Sequence, residues 1–89
     1  MSGGTFDYDQ FRIVQIHETI ESYISKQGTK SDYGGTYETF EPEVLKRLED
    51  AIKCLKMAYV YAQRVDYLLA GDDGQQSFLE RLESDLSKL

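Results

Sequence analysis

Eighty-nine residues make one domain, and a chain of that length buries only about 60% of the surface its unfolded form exposes. Forty per cent hydrophobic residues suffice for a core and exclude wholesale disorder, while ten basic against sixteen acidic side chains leave a net charge of −6. That balance disfavours generic binding to DNA, RNA or anionic membrane, and no apolar run reaches the roughly 18 residues of a membrane span.

Three segments carry helical periodicity, which predicts an all-α fold: a small three-helix bundle built on a long central helix, with residues 1–89 as a single domain. The first helix is expected over about 7–27, where Ile13, Ile16, Ile20, Tyr23 and Ile24 recur at spacings of three and four. Gly28 suits the left-handed residue that ends many helices. Residues 28–41 then read as a loop, rich in Gly, Thr, Ser, Asp and Tyr, with Gly34-Gly35 at its tip. A hairpin through Tyr33 to Phe40 has too few alternating residues behind it.

Pro42 fits the first turn of the second helix, with Glu41 and Glu43 at its positive end. Val44, Leu48, Ala51, Leu55, Ala58, Ala62, Val65 and Leu69 follow a strict alternation of four and three, and Leu45, Ile52 and Tyr59 widen the stripe. The helix is expected over 42–70, about 43 Å long, and apolar nearly all round toward its carboxyl end, so it should be covered on more than one side. Gly71 is placed to end it, Asp72 or Asp73 to cap the next helix, and Ser77 with Glu80 to form a later capping box. That third helix, over 75–88, shows Leu79, Leu82, Leu86 and Leu89 on one face beside Phe78.

Catalytic machinery is hard to find. His17 is the only histidine and lies within an isoleucine stripe, where a hydrogen-bonded residue at the core edge is the expected reading. Cys54 stands alone, which excludes an internal disulfide, gives no zinc-ligand set and reads as a small apolar residue packed at a helix flank. Aligning Asp73-Gly74 and Glu80 with a calcium loop puts Leu69 and Gly71 at the first and third ligand positions, so the match fails. Asp66 continues the Leu45, Ile52, Tyr59 line at a spacing of seven and needs a partner: Arg47 of a neighbouring copy, Arg12 or a tyrosine hydroxyl. We therefore expect no enzyme, no cofactor and no metal site.

Charge is unevenly spread. Residues 1–43 carry eight acids and three bases, residues 44–70 three acids and five bases, and residues 71–89 five acids and two bases. Lys46, Lys53, Lys56 and Arg64 lie opposite the apolar stripe with Val60 and Tyr67 among them. Lys53, Lys56, Arg64 and Tyr67 are thus the candidate site for a small anionic ligand such as a nucleotide, held by ion pairing and stacking, against the alternative of a solvated face. Seven tyrosines are many for this length, and Tyr8, Tyr33, Tyr37 and Tyr61 are the candidates for contact with another protein.

The opening Met1-Ser2-Gly3-Gly4-Thr5-Phe6-Asp7-Tyr8 resembles the start of small uncharacterised proteins carried by bacteriophages and prophages. The stretch Val65-Asp66-Tyr67-Leu68-Leu69-Ala70-Gly71-Asp72-Asp73-Gly74, leading into Phe78 and Leu82, is similar to a segment of the same proteins. The resemblance brings no catalytic residues. It implies a mobile-element setting, in the host cytoplasm, and binding and inhibition of a host factor, such as a defence component. Two alternatives stand beside that expectation: an oligomeric helical sponge for an anionic signalling nucleotide, and a self-associating structural or accessory protein.

Overall fold

The computed structural model describes residues 4–32 and 34–89. It is an all-α bundle of three helices: α1 (Phe11–Lys26), α2 (Pro42–Leu69) and α3 (Gln75–Ser87). Both α1 and α3 pack on α2, and no comparable packing joins them to each other. The long helix is the spine, as its continuous four-three alternation requires. No described helix is long and apolar enough to cross a membrane.

The termini of the helices follow local chemistry. Pro42 opens α2 after an extended Glu41, and Glu43 occupies the first turn. Gly71, at φ +86, turns the chain out of α2. Neither Asp72 nor Asp73 caps α3. Gly74 takes that position, its N–H donating to Ser77 Oγ at 3.2 Å, because Asp73 is drawn inward by two arginines. On α3 the packed side consists of Phe78, Leu82 and Leu86, all half-buried, whereas Leu79 and Leu89 stay 57% and 58% exposed. The leucine stripe is wider than the single contact available to it.

The loop over residues 28–41 is a loop as expected, though a well-tied one. Gly28, at φ +77, leaves α1, and its N–H donates to the Tyr37 carbonyl at 3.1 Å. Tyr37 N–H returns a bond to the Thr29 carbonyl at 2.8 Å, around an antiparallel bridge between Lys30 and Thr36. Gln27 accepts from Phe40 N–H at 3.1 Å and pins the returning chain to the end of α1.

The first helix begins at Phe11, later than its periodicity predicts. Residues 4–10 instead form a series of turns, with Asp7 and Tyr8 both left-handed at φ +53 and φ +66. We call this segment the strap. A left-handed conformation costs an L-residue about 1–2 kcal/mol, so something outside the strap must hold it.

Burial is inverted relative to an ordinary domain. Among the described residues the only buried ones are polar: Gln10, His17, Asp66 and Asp73. The apolar side chains of all three helices are half-buried at best. The molecule measures 51 × 27 × 14 Å over its Cα atoms, and its radius of gyration of 17.0 Å exceeds the roughly 12 Å of a compact chain of this length.

Candidate functional site

The holder of the strap is Asp66, one turn from the carboxyl end of α2 and only 5% exposed. Its Oδ1 accepts the backbone N–H groups of Thr5 at 2.6 Å and Phe6 at 3.2 Å, and its Oδ2 accepts Gln10 Nε2 at 3.0 Å. Gln10 Nε2 also donates to Gln63 Oε1 at 2.7 Å, and Gln63 Nε2 donates to Tyr67 Oη at 2.9 Å. A carboxylate near a helix C-terminus opposes the helix dipole, and three donors directed at it offset that cost. Gly4 is where the strap passes closest: a Cβ there would lie 2.7 Å from Asp66 Oδ1, at a φ of +62. The partners are therefore strap donors, and not the arginines or tyrosine hydroxyl the sequence suggested.

The strap presents a particular surface. Tyr8 is 56% exposed, its ring 6.1 Å from that of Phe11, which in turn lies 5.8 Å from Tyr59. Asp7 and Asp9 are exposed beside it, Asp9 only loosely paired with Arg12 at 3.5 Å. Together Phe6, Asp7, Asp9, Gln10, Ile13 and Ala62 line an open cleft of about 570 Å³ with an apolar floor and an acidic mouth. Gln10 Oε1 is buried there without a donor of its own. Partial burial pushes the Tyr59 phenol above its ordinary value, and the neighbouring Tyr67 adds to the effect.

A second polar cluster ties α2 to α3. Asp73 accepts Arg81 Nη1 at 2.6 Å and faces Arg64 Nη1 at 3.9 Å, with its carboxylate 2% exposed. Arg64 Nε donates to Asp85 Oδ2 at 2.6 Å, and its guanidinium stacks 5.6 Å from the Tyr67 ring centre. The proposed anion site is thereby divided. Arg64 and Tyr67 are occupied within the fold, while Lys53 and Lys56 lie exposed at least two turns away, roughly 12 Å along the helix. Those two lysines line a groove of about 610 Å³ with Lys88, Met57 and the opposing carboxylates Glu21 and Glu49.

No family model, curated protein or solved structure matches the chain.

Of the candidate tyrosines, Tyr8 and Tyr61 are exposed, at 56% and 43%. Tyr37 is half-buried, edge-on to Tyr23 at 6.1 Å and under Lys26 Nζ at 5.6 Å, so it closes the loop onto α1. Tyr33 lies outside the described residues. His17 is buried with Nδ1 2.7 Å from Glu21 Oε2, the core-edge hydrogen bond expected of it. Cys54 corrects the reading as a packed flank, since it is exposed. Among the described residues no three of His, Cys, Asp and Glu group closely enough to hold a metal ion. Sequence reasoning missed Asp73 and the strap: nothing in the spacing of Asp73 and Arg81 marks an ion pair, and no glycine marks the left-handed Asp7-Tyr8 pair.

Proposed function

We propose that this chain is a non-enzymatic interaction protein that binds and inhibits a host macromolecule, with the strap as its contact surface. The observation that carries the reading is Tyr8, an aromatic ring 56% exposed on backbone held left-handed by a buried carboxylate three hydrogen bonds deep. Strained backbone that the surroundings over-determine is characteristic of ligand-contacting segments. An exposed tyrosine beside two aspartates, over an apolar cleft, suits a partner segment that offers lysine or arginine together with apolar area. The charge of −6 steers such a basic partner inward. The resemblance to phage-borne proteins is consistent with a host target.

The test is quantitative co-purification from bacterial host lysate with wild type and Tyr8→Ala, after circular dichroism shows equal helicity. A stoichiometric protein partner retained by wild type and lost by Tyr8→Ala supports the proposal. Equal recovery by both proteins, or no partner with either, contradicts it.

The three-lysine groove favours a second reading, a sponge for an anionic nucleotide. Lys53, Lys56 and Lys88 supply the charge, but Glu21 and Glu49 offset most of it and no aromatic ring stands ready for stacking. Mass spectrometry of whatever the denatured protein releases separates the two: a nucleotide supports the sponge, and a clean protein counts against tight retention.

A further inference from the structure

The central helix has three sides, and only two are covered. Tyr59, Gln63 and Asp66 mark the side toward α1 and its strap, and Arg64 marks the side toward α3. The third side carries Val44, Ala51, Ala58 and Val65 at strict spacings of seven, with Leu69 on the same line at about 100° per residue. Val44 is 43% and Leu69 59% exposed, and Ala58 and Cys54 between them are exposed as well. Charge on this side is confined to its amino-terminal end, where Glu43 lies at the edge and Arg47 stands 3.8 Å from Asp50. On α1 the adjoining surface carries Ile16, 51% exposed, and Tyr23, 53% exposed, edged by the exposed Arg12 and Lys26, while Glu18 and Glu21 fall on the helix's other side. One face of the molecule is thus mainly apolar across two helices, and most of the acidic charge lies elsewhere.

We infer that this face is the interface with a second copy of the chain, α2 packed antiparallel on α2 across a two-fold axis near Cys54 and Ala58. The area supports it. A folded monomer of 10.2 kDa exposes about 5,300 Å², whereas this chain exposes 6693 Å². The excess is above the roughly 800 Å² per partner that a stable interface covers. It also accounts for a fold whose described apolar side chains are nowhere fully buried, since a dimer adds to that core at the interface. The seven-residue repeat is the period of left-handed helix pairing, and the small residues Ala51, Cys54 and Ala58 allow the two axes to approach to about 8 Å. A second copy is favoured over a foreign partner because the face is self-complementary: mainly apolar, with little of the acidic charge that would otherwise drive two copies apart.

The direction follows from Arg47. Parallel helices bring Arg47 against its own copy. Antiparallel helices bring it toward the carboxyl end of the neighbouring α2, where the helix dipole and Asp72 favour a cation. One strap then stands at each end of the seam, so the dimer presents two. The pairing does not depend on what the strap binds.

Light scattering of the full chain at micromolar concentration should give twice the 10.2 kDa chain mass. Ala58→Glu, at a position exposed in the single chain, should give the monomer mass with helicity unchanged below the dimer's melting transition. A short bis-maleimide should join Cys54 to Cys54 in the wild type. In a Cys54→Ala background, a mixture of Val44→Cys and Leu69→Cys chains should cross-link to each other and not to themselves. A monomeric wild type, an Ala58→Glu dimer or a higher oligomer overturns the interface. Cross-linking of Val44→Cys to itself overturns the antiparallel arrangement.

Discussion

Replacing Asp66 with alanine should release the strap and cost the fold a large part of its stability. Three charge-assisted hydrogen bonds end on this carboxylate, and each contributes about 1.5–3 kcal/mol, so the ceiling is roughly 4–9 kcal/mol. Two terms reduce it. The freed N–H groups of Thr5 and Phe6 rehydrate, and Asp7 and Tyr8 relax from left-handed backbone, returning about 1–2 kcal/mol each. A net loss of about 2–4 kcal/mol remains, large against the roughly 4–13 kcal/mol available to a domain of this length. Urea titration at fixed chain concentration should show it as a lower midpoint, with amide exchange at Thr5 and Phe6 accelerated in parallel. Gly4→Ala should reproduce the exchange effect from the other side, because its Cβ would press on the Asp66 carboxylate from 2.7 Å. A loss below about 0.5 kcal/mol with protection at Thr5 and Phe6 unchanged would refute the reasoning.

Further outcomes follow from the same geometry. Arg64→Ala should destabilise by about 2 kcal/mol, less than a fully buried pair because Arg64 and Asp85 keep 20% and 28% exposure; an unchanged melting curve contradicts the structural role. Gly71→Ala should cost about 1–2 kcal/mol for backbone alone, since φ is +86 and nothing lies within 4 Å of an added Cβ; thermal melting that finds no loss counts against the left-handed turn. Tyr59 has its phenol raised by burial, so its contribution is complete below the unfolded value of about 10 and is lost as pH rises through the folded one. Ultraviolet phenolate titration should lose its latest-ionising tyrosine in Tyr59→Phe, and loss of an earlier one instead is the contrary result.

The periodic parts of this molecule were readable in its residues. The four-three alternation from Val44 to Leu69 located α2, Pro42 its start and Gly71 its end, because those signals are local and each has one physical cause. The need of Asp66 for a partner was readable too, from a carboxylate on an apolar line. Its partners were not, since backbone N–H groups some sixty residues away leave no side-chain pattern. The same limit hid the strap: Asp7 and Tyr8 are left-handed through a tertiary contact, whereas Gly28 and Gly71 announce that conformation by lacking a Cβ. The pairing of Arg64 across to α3 was hidden for a related reason. Helical geometry put Lys53, Lys56, Arg64 and Tyr67 on one side of α2, but it could not show that the turn before α3 and α3 itself bring Asp73 and Asp85 to Arg64.

Site-specific photocross-linking tests the central claim most directly. A photoreactive phenylalanine analogue is placed at Tyr8 in one protein and at Tyr37 in another, and both are irradiated in bacterial host cells. The strap account predicts a discrete adduct with a host protein from the exposed position Tyr8, and none from Tyr37, which is held against Tyr23 and Lys26. Adducts of equal yield from both positions, or none from Tyr8, contradict it.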